Sequence, residues 1–413
     1  MVHTLPGGIQ RLAVAAVILI AASAWHSTVT ADPIRVELVR TGDGWQLLRG
    51  GKPYFIRGAG GRASLEALAA AGGNSIRTWG AADLDPLLDA AHARGLSVTV
   101  GIWLGHERHG FDYSDPKQLR EQKERARTAV LRYNDHPAVL LWGIGNEMEG
   151  FGAGDDPAIW KAVNEIAIMV KRLDPNHPTM TVTAELGGER VKGVQQLCPA
   201  IDIHGINSYG GAPSLNERYR AAGAHKPYVL TEFGAPGAWE VPKNDWGAPA
   251  ELTSTDKARF YRRSYERAVI GAPDLALGSY VFAWGHKMEA TPTWHGMWLS
   301  DGSQLAAVDV MTELWSGRPP PNRAPTVEPL IVEGDAQLDP GAKLRVRAVI
   351  ADPEGAAIRT RWVLLRESGE YATGGDARPV PPEVEGAFVE TGRDGAVLRM
   401  PKDPGAYRLF VYA

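Results

Sequence analysis

Between Tyr54 and Trp315 the sequence alternates eight times between a short apolar run and a longer amphipathic one, and no other feature restricts its possible folds as much. An uninterrupted apolar run of four to eight residues suits a parallel strand buried on both faces, and parallel neighbours must be joined by a crossover such as a helix. Strands are expected over 54–58, 74–79, 97–104, from 138 up to Glu147, and over 179–183, 201–207, 228–232 and 277–284. Helices are expected over 64–71, 84–94, 117–133, 159–173, 191–197, 215–222, 255–269 and 304–315. Eight such units have the period of an α/β chain closed into a (β/α)8, or TIM, barrel. An open doubly wound sheet would want a Gly-rich phosphate turn after its first strand, and Tyr54 to Arg62 does not spell G-x-G-x-x-G.

The flanks divide from this repeat by composition. Residues 1–31 read as a secretory signal: Arg11 is the only strongly charged residue, 12–25 is almost wholly apolar, and Val29-Thr30-Ala31 offers a small-residue cleavage site. The apolar run is short for a membrane span, so an uncleaved anchor is the lesser reading and no stable insertion is expected once the signal is cut. A secreted or periplasmic location follows. Residues 32–317 are expected to be the barrel, with β-hairpins over 35–54 plugging its bottom. Residues 318–326, RPPPNRAPT, read as a Pro-rich linker, and 327–413 as a small all-β sandwich of immunoglobulin-like type. The chain stops at Ala413 inside a strand-like run, which suggests a truncated fragment. Cys198 is the single cysteine, leaving no intrachain disulfide, and the net charge of −4 gives no reason to expect nucleic acid as a partner.

In a barrel the carboxyl ends of all strands face one pocket. Two of these ends carry an acid. AVLLWGIGNE runs from Ala138 to Glu147, and KPYVLTE from Lys226 to Glu232. A pair of carboxyl groups facing one pocket is what glycosidic bond cleavage requires. The other strand ends contribute Arg77, Trp79, Trp103, His106, Asn146, Asn207, Tyr209 and Trp284 as candidate substrate-binding residues. The loop 238–252 adds Trp239 and Trp246, two stacking faces whose mobility Pro242 and Pro249 restrict. His204, preceding Gly205 within its strand, is expected to pack in the barrel wall, and 106–109 to form a charged loop.

Taken together, PYFIRG, NSIRTWG, GNE, INSY, TEFG and FAW resemble the clan A retaining glycoside hydrolases. The nearest likeness is to the catalytic barrel of family 2 and to related β-glucan-acting, glucanosyltransferase-like barrels. The resemblance covers roughly 52–298. It implies Glu147 as general acid/base and Glu232 as nucleophile, with Arg77, Asn146, Tyr209 and Trp284 in support. The implied reaction is double displacement on a β-linked glycan through a covalent glycosyl-enzyme. Retention wants the two carboxyl groups about 5–5.5 Å apart, with one protonated at rest. Glu232 would raise the pKa of Glu147 by like-charge repulsion, while Arg77 and Tyr209 would hold Glu232 ionised. Asn146 could meet the sugar 2-hydroxyl, and Trp284 would form the floor beneath the sugar. The N-terminal sandwich domains of typical family 2 members are missing, so their substrate preferences do not transfer.

Other functions fit less well. A metal-dependent hydrolase would want His clustered at strand ends, and the histidines are scattered; neither metal nor cofactor is expected. No G-x-S-x-G occurs for a serine hydrolase. A non-catalytic carbohydrate binder would have no use for the acid pair. A glucanosyltransferase shares the glycosyl-enzyme and differs only in the acceptor. In every glycan reading the partner is an oligo- or polysaccharide.

Overall fold

A computed structural model describes residues 32–413 apart from 62, 370, 372–374, 376 and 377. The proposed signal, 1–31, lies outside the described residues. The first elements are three antiparallel strands, β1 (Val36–Thr41), β2 (Gly44–Arg49) and β3 (Lys52–Pro53). Val36 and Leu47 bury against Ile56, Leu141, Met180, Ile203, Val229 and Leu277, residues near the start of barrel strands. These hairpins therefore close the amino end of the barrel and leave the other end open.

The barrel consists of β4 (Ile56–Gly61), β5 (Ser75–Arg77), β6 (Ser97–Ile102), β7 (Val139–Asn146), β8 (Thr179–Ala184), β9 (Ile203–Asn207), β10 (Tyr228–Phe233) and β11 (Ala276–Trp284). Every neighbouring pair is parallel, and β11 pairs with β4 to close the ring. Helices cover the outside, and two of the longest begin at Asp-Pro. Asp115 and Asp156 accept hydrogen bonds from the amides of Lys117 and Ala158, while Pro116 and Pro157 occupy first-turn positions where no N–H is needed. After β8 the expected helix is a single turn, Arg190–Lys192, continued by a wider turn, Gly193–Leu197.

The first barrel strand lies further along the chain than its apolar residues suggest. It runs to Gly61 because the space inside is too tight for side chains. A Cβ on Gly58 would sit 2.3 Å from the Tyr280 ring, and one on Gly60 would sit 2.9 Å from the Trp79 indole. A glycine run that reads as a turn is here a strand pressed against aromatic rings.

Beyond the barrel lie β12 (Thr326–Val327), β13 (Ile331–Glu333), β14 (Lys343–Arg347), β15 (Ile350–Ala351), β16 (Arg361–Arg366), β17 (Phe388–Thr391), β18 (Gly395–Arg399) and β19 (Tyr407–Tyr412). The sheet β13-β14-β18-β17 and the pair β16–β19 share a core of Val346, Ala396, Leu398, Trp362 and Leu364, which makes the module a small β-sandwich. Its connection to the barrel does not hang free. The Ala324 amide donates to Asp309 Oδ2 at 2.6 Å, and the Val327 amide donates to Thr255 Oγ1 at 2.7 Å. Both acceptors belong to barrel helices, Ala306–Ser316 and Ser254–Tyr265.

Candidate active site

At the end of β7 the ladder with β8 shifts register between Gly143 and Asn146. Gly145 takes φ +75°, and a Cβ there would meet Met148 Sδ at 2.1 Å. Glu147 follows with φ +52°, a left-handed conformation that non-glycine residues seldom adopt. The turn is pinned by the Glu147 amide donating to Val182 O and by the Gly150 amide donating to Glu147 O, both at 2.9 Å. Such strain persists only where surrounding contacts over-determine it, and it is concentrated at functional sites.

Glu232, on β10, is held by three donors. Arg77 Nη1 from β5 reaches Oε1 at 2.9 Å, Trp79 Nε1 reaches the same oxygen at 2.7 Å, and the Tyr209 hydroxyl donates to Oε2 at 2.8 Å. Arg77 also donates to Thr231 O at 3.0 Å and, through Nη2, to Asn146 Oδ1 at 2.6 Å. One buried guanidinium thus ties β5, β7 and β10 together. Burial, followed by the nearby Glu232 charge, pushes the Tyr209 hydroxyl well above its usual range, so it remains a donor.

Glu147 has different company. Asn207 Nδ2 donates to its Oε1 at 2.6 Å and to Asn146 Oδ1 at 3.2 Å, while Thr231 Oγ1 fixes Asn207 by donating to its Oδ1 at 2.8 Å. Burial first, and then the charge of Glu232, raise the Glu147 carboxyl to about 7. The like-charge repulsion expected from the sequence is present, but it ranks second to desolvation. Burial and a neighbouring carboxylate thus favour the protonated form of Glu147, while Glu232 at the other strand end is met by three donors.

Around them opens a cavity of about 1160 Å³, larger than the usual span for a drug-sized ligand. Trp79, Trp103, His106, Asn146, Glu147, Asn207, Tyr209, Glu232, Trp239 and Trp284 all border it. Trp103 stacks on His106 with centroids 4.8 Å apart, leaving the indole half exposed. Rather than sitting in a solvated charged loop, His106 is buried. Desolvation, with Arg108 and His109 nearby, pushes it down to about 4, so it is neutral. His204 is buried in the barrel wall, as its place in the strand suggests.

Three of the expected contact residues take other places. Arg77 lies behind Glu232, buried and away from the cavity surface, because its guanidinium is consumed by the acid and by Asn146. Trp284 borders the cavity but is 0% exposed, packs against Trp298 and Trp315, and donates Nε1 to Ser64 O, so its indole is held in that cluster and not laid open beneath a sugar. The loop 238–252 folds back on itself through the Lys243–Pro249 bridge. That fold sends Trp239 against Tyr209, with centroids 5.8 Å apart, and holds Trp246 off the cavity.

Other cavity residues were not singled out from the sequence: Phe151, Glu185, Glu240, Lys287 and Phe282. Phe151 follows the Glu147 turn and is 73% exposed at the rim, where Arg108 lies over its ring. His295, 5.0 Å from the Tyr209 ring, is held neutral by burial, at about 3. Phe282 lies on β11; no spacing rule points to the others, since they lie on loops whose paths depend on packing. Among the described residues no cluster of His, Cys, Asp and Glu is arranged to hold a metal ion.

A closed parallel barrel with paired carboxyl groups at the carboxyl ends of β7 and β10 defines the class. Residues 87–240 match the family described as glycosyl hydrolases family 2, TIM barrel domain. A β-galactosidase of Pectobacterium atrosepticum is 29% identical over 135 residues, which are 31% of this chain and 12% of that protein. Solved structures share the fold. A β-D-glucuronidase of Dictyoglomus thermophilum superposes with TM-score 0.53 at 19% identity, covering 69% of this chain and 54% of that one. A β-galacturonidase of Eisenbergiella tayi gives 0.53 at 16%, covering 70% and 54%, and a β-glucuronidase of an uncultured Clostridium gives 0.55 at 19%, covering 69% and 54%. The chain thus spans about half the length of these solved proteins and a much smaller share of the β-galactosidase. Its barrel is a family 2 glycoside hydrolase-like barrel.

Proposed function

We propose that this protein is an exported retaining β-glycoside hydrolase that acts on a neutral β-linked glycan, with β-glucan as the favoured class. The observation that carries the reading is the asymmetry of the acid pair. Glu232 is held in place by three donors, as suits a nucleophile aimed at one carbon, and Glu147 is raised to about 7, as a proton donor to a leaving oxygen requires. Attack of the Glu232 carboxylate on the anomeric carbon breaks the glycosidic bond as Glu147 protonates the departing oxygen. Glu147, now a carboxylate, then takes a proton from a water whose oxygen bonds to the anomeric carbon, breaking the bond to Glu232 and releasing the sugar.

The preference for a neutral sugar rests on charge. Among the described residues, five carboxyl side chains border the cavity (Glu147, Glu185, Glu232, Glu240, Glu289) against three Lys or Arg (Arg108, Arg190, Lys287). Arg190 is already paired with Glu149, Lys287 with Glu289 and Arg218 with Glu185, which leaves Glu147, Glu232 and Glu240 on the acid side. A uronate would enter this field against repulsion. The size of the cavity and the half-exposed indoles of Trp103 and Trp239 suit more than one sugar ring. Export rests on the composition of 1–31.

The test is a set of aryl β-glycosides (glucoside, galactoside, glucuronide) with NMR assignment of the first-formed anomer, run beside a β-glucan digest. A β-anomer from the glucoside, with the glucuronide poorest, is expected. An α-anomer would mean inversion and overturn the assignment of Glu232.

A further inference from the structure

The wall of the cavity beside β10 and β11 is made from two loops, 238–252 and 285–295. They bring Trp239, Glu240, Lys287 and Glu289 to the cavity. Neither loop is held by the barrel alone. Arg408, on the last strand of the β-sandwich, crosses to the first loop, donating Nη2 to Pro249 O at 2.9 Å and lying 3.7 Å from Glu251 Oε2. The same guanidinium is anchored at home by Glu367, 2.8 Å from Nε. Glu251 is buried and in turn holds Lys257 Nζ at 2.5 Å and Thr293 Oγ1 at 2.7 Å, so the charge centre grips the second loop as well. Tyr371, also from the sandwich, packs on the cluster of Ala238, Ala290 and Trp294 that joins the two loops. Further along, Lys287 Nζ donates to Gly375 O at 3.1 Å, and Gly375 itself borders the cavity.

We infer that the C-terminal β-sandwich is a working part of the glycan-binding site, and that Arg408 is a positioning residue that holds the β10–β11 wall for a sugar ring beyond the one being cleaved. This deepens the proposed glycosidase reading and rests on it. A module serving as a spacer would need no buried charge at the root of a substrate loop. An ion-paired guanidinium that also donates to a backbone carbonyl fixes position and direction together, which suits a wall that must not move by an ångström. Without it the largely buried Glu367 would lose this ion pair, and Glu251 would keep Lys257 as partner but lose its tie to the sandwich.

The experiment uses the whole chain with Arg408→Ala, Arg408→Lys and Tyr371→Ala. Two measurements are made on each: amide exchange over 238–252 and 285–295, and KM and kcat on a β-linked oligosaccharide beside an aryl monoglycoside. Arg408→Ala is expected to speed exchange in both loops at least tenfold. It should also raise the oligosaccharide KM about tenfold, with the aryl monoglycoside kcat/KM within twofold, and Arg408→Lys should restore most of both. Tyr371→Ala should move both readouts the same way by a smaller factor. Unchanged exchange in the loops overturns the inference whatever the chain hydrolyses. So do loosened loops with unaltered oligosaccharide kinetics, or equal losses on both substrates. If the unmutated chain cleaves no glycoside at all, the proposed function falls, and the exchange data alone then decide whether Arg408 holds the wall.

Discussion

The carboxyl ends of β7 and β10 carry the same residue type at the same level of one barrel, yet their surroundings are opposites. Glu232 stands within β10 beside a register shift against β9, met by a guanidinium, an indole and a phenol. Glu147 stands on a left-handed turn, met by one amide, with desolvation and a neighbouring carboxylate against its charge. Identity of side chain decides little here; in the proposed reaction the number and kind of donors decide which acid would attack and which one would donate a proton.

The hardest way to break that contrast is to remove each acid in turn. Glu232→Gln should lower turnover of every substrate by roughly 10⁴–10⁶, since no covalent intermediate can form. Glu147→Gln should lower it by about 10²–10⁴ on glycosides with poor leaving groups, yet far less on an activated aryl glycoside that needs little protonation. Steady-state kinetics on the two substrate types decide the matter; equal losses on the activated one would erase the distinction.

A smaller effect sharpens the comparison from the Glu232 side. Tyr209→Phe removes one of its donors, and a hydrogen bond to a charged group contributes about 1.5–3 kcal/mol. The expected loss in kcat/KM is therefore about 10–150-fold, measured with the aryl glycoside so that binding of further sugars does not intrude.

The pH profile tests Glu147. Its proton is needed in the free enzyme, so kcat/KM should fall as pH rises through about 7, and that limb should vanish in Glu147→Gln assayed on the activated substrate. Stability carries the same sign. A carboxyl raised from 4.5 to about 7 favours the folded state fully below 4.5, and that contribution is lost as pH rises past 7. Relative to the native chain, Glu147→Gln should gain in Tm at pH 8 compared with pH 4. A constant difference across that range would mean that the acid is not perturbed.

The smallest expected effect separates two tryptophans of one loop. Trp239→Ala should weaken catalysis on oligosaccharides several-fold more than on an aryl monoglycoside, whereas Trp246→Ala, away from the cavity, should change neither. Parallel titrations of the two variants against both substrates would show it.

Much of this was legible in the sequence, for identifiable reasons. Parallel strands buried on both faces spell themselves as apolar runs, so the barrel and both acids could be placed from Val139–Trp142 and Tyr228–Leu230 alone. The direction of side chains at the rim was not legible. Trp284 is expected beneath a sugar but is turned into the Trp298–Trp315 cluster, whereas Arg77 meets Glu232 as its place on the second barrel strand suggests. Period-two reasoning says which residues face inward, and says nothing about which inward group another side chain reaches first. The separate tail expected after Arg318 is likewise stitched to the barrel by Asp309, Thr255 and Glu251, single polar residues whose partners lie far away in sequence.

The left-handed turn at Glu147 has a consequence for anyone seeking a sturdier protein. Glycine would rest in that backbone conformation without penalty and would leave no acid to desolvate, so residue 147 is where a search guided by melting temperature alone should find one of its easiest gains. Each such gain would erase the proton donor. Robustness and proposed chemistry are at odds in a single residue, and a library screened for heat tolerance without an activity gate should drift toward an inert barrel through Glu147→Gly.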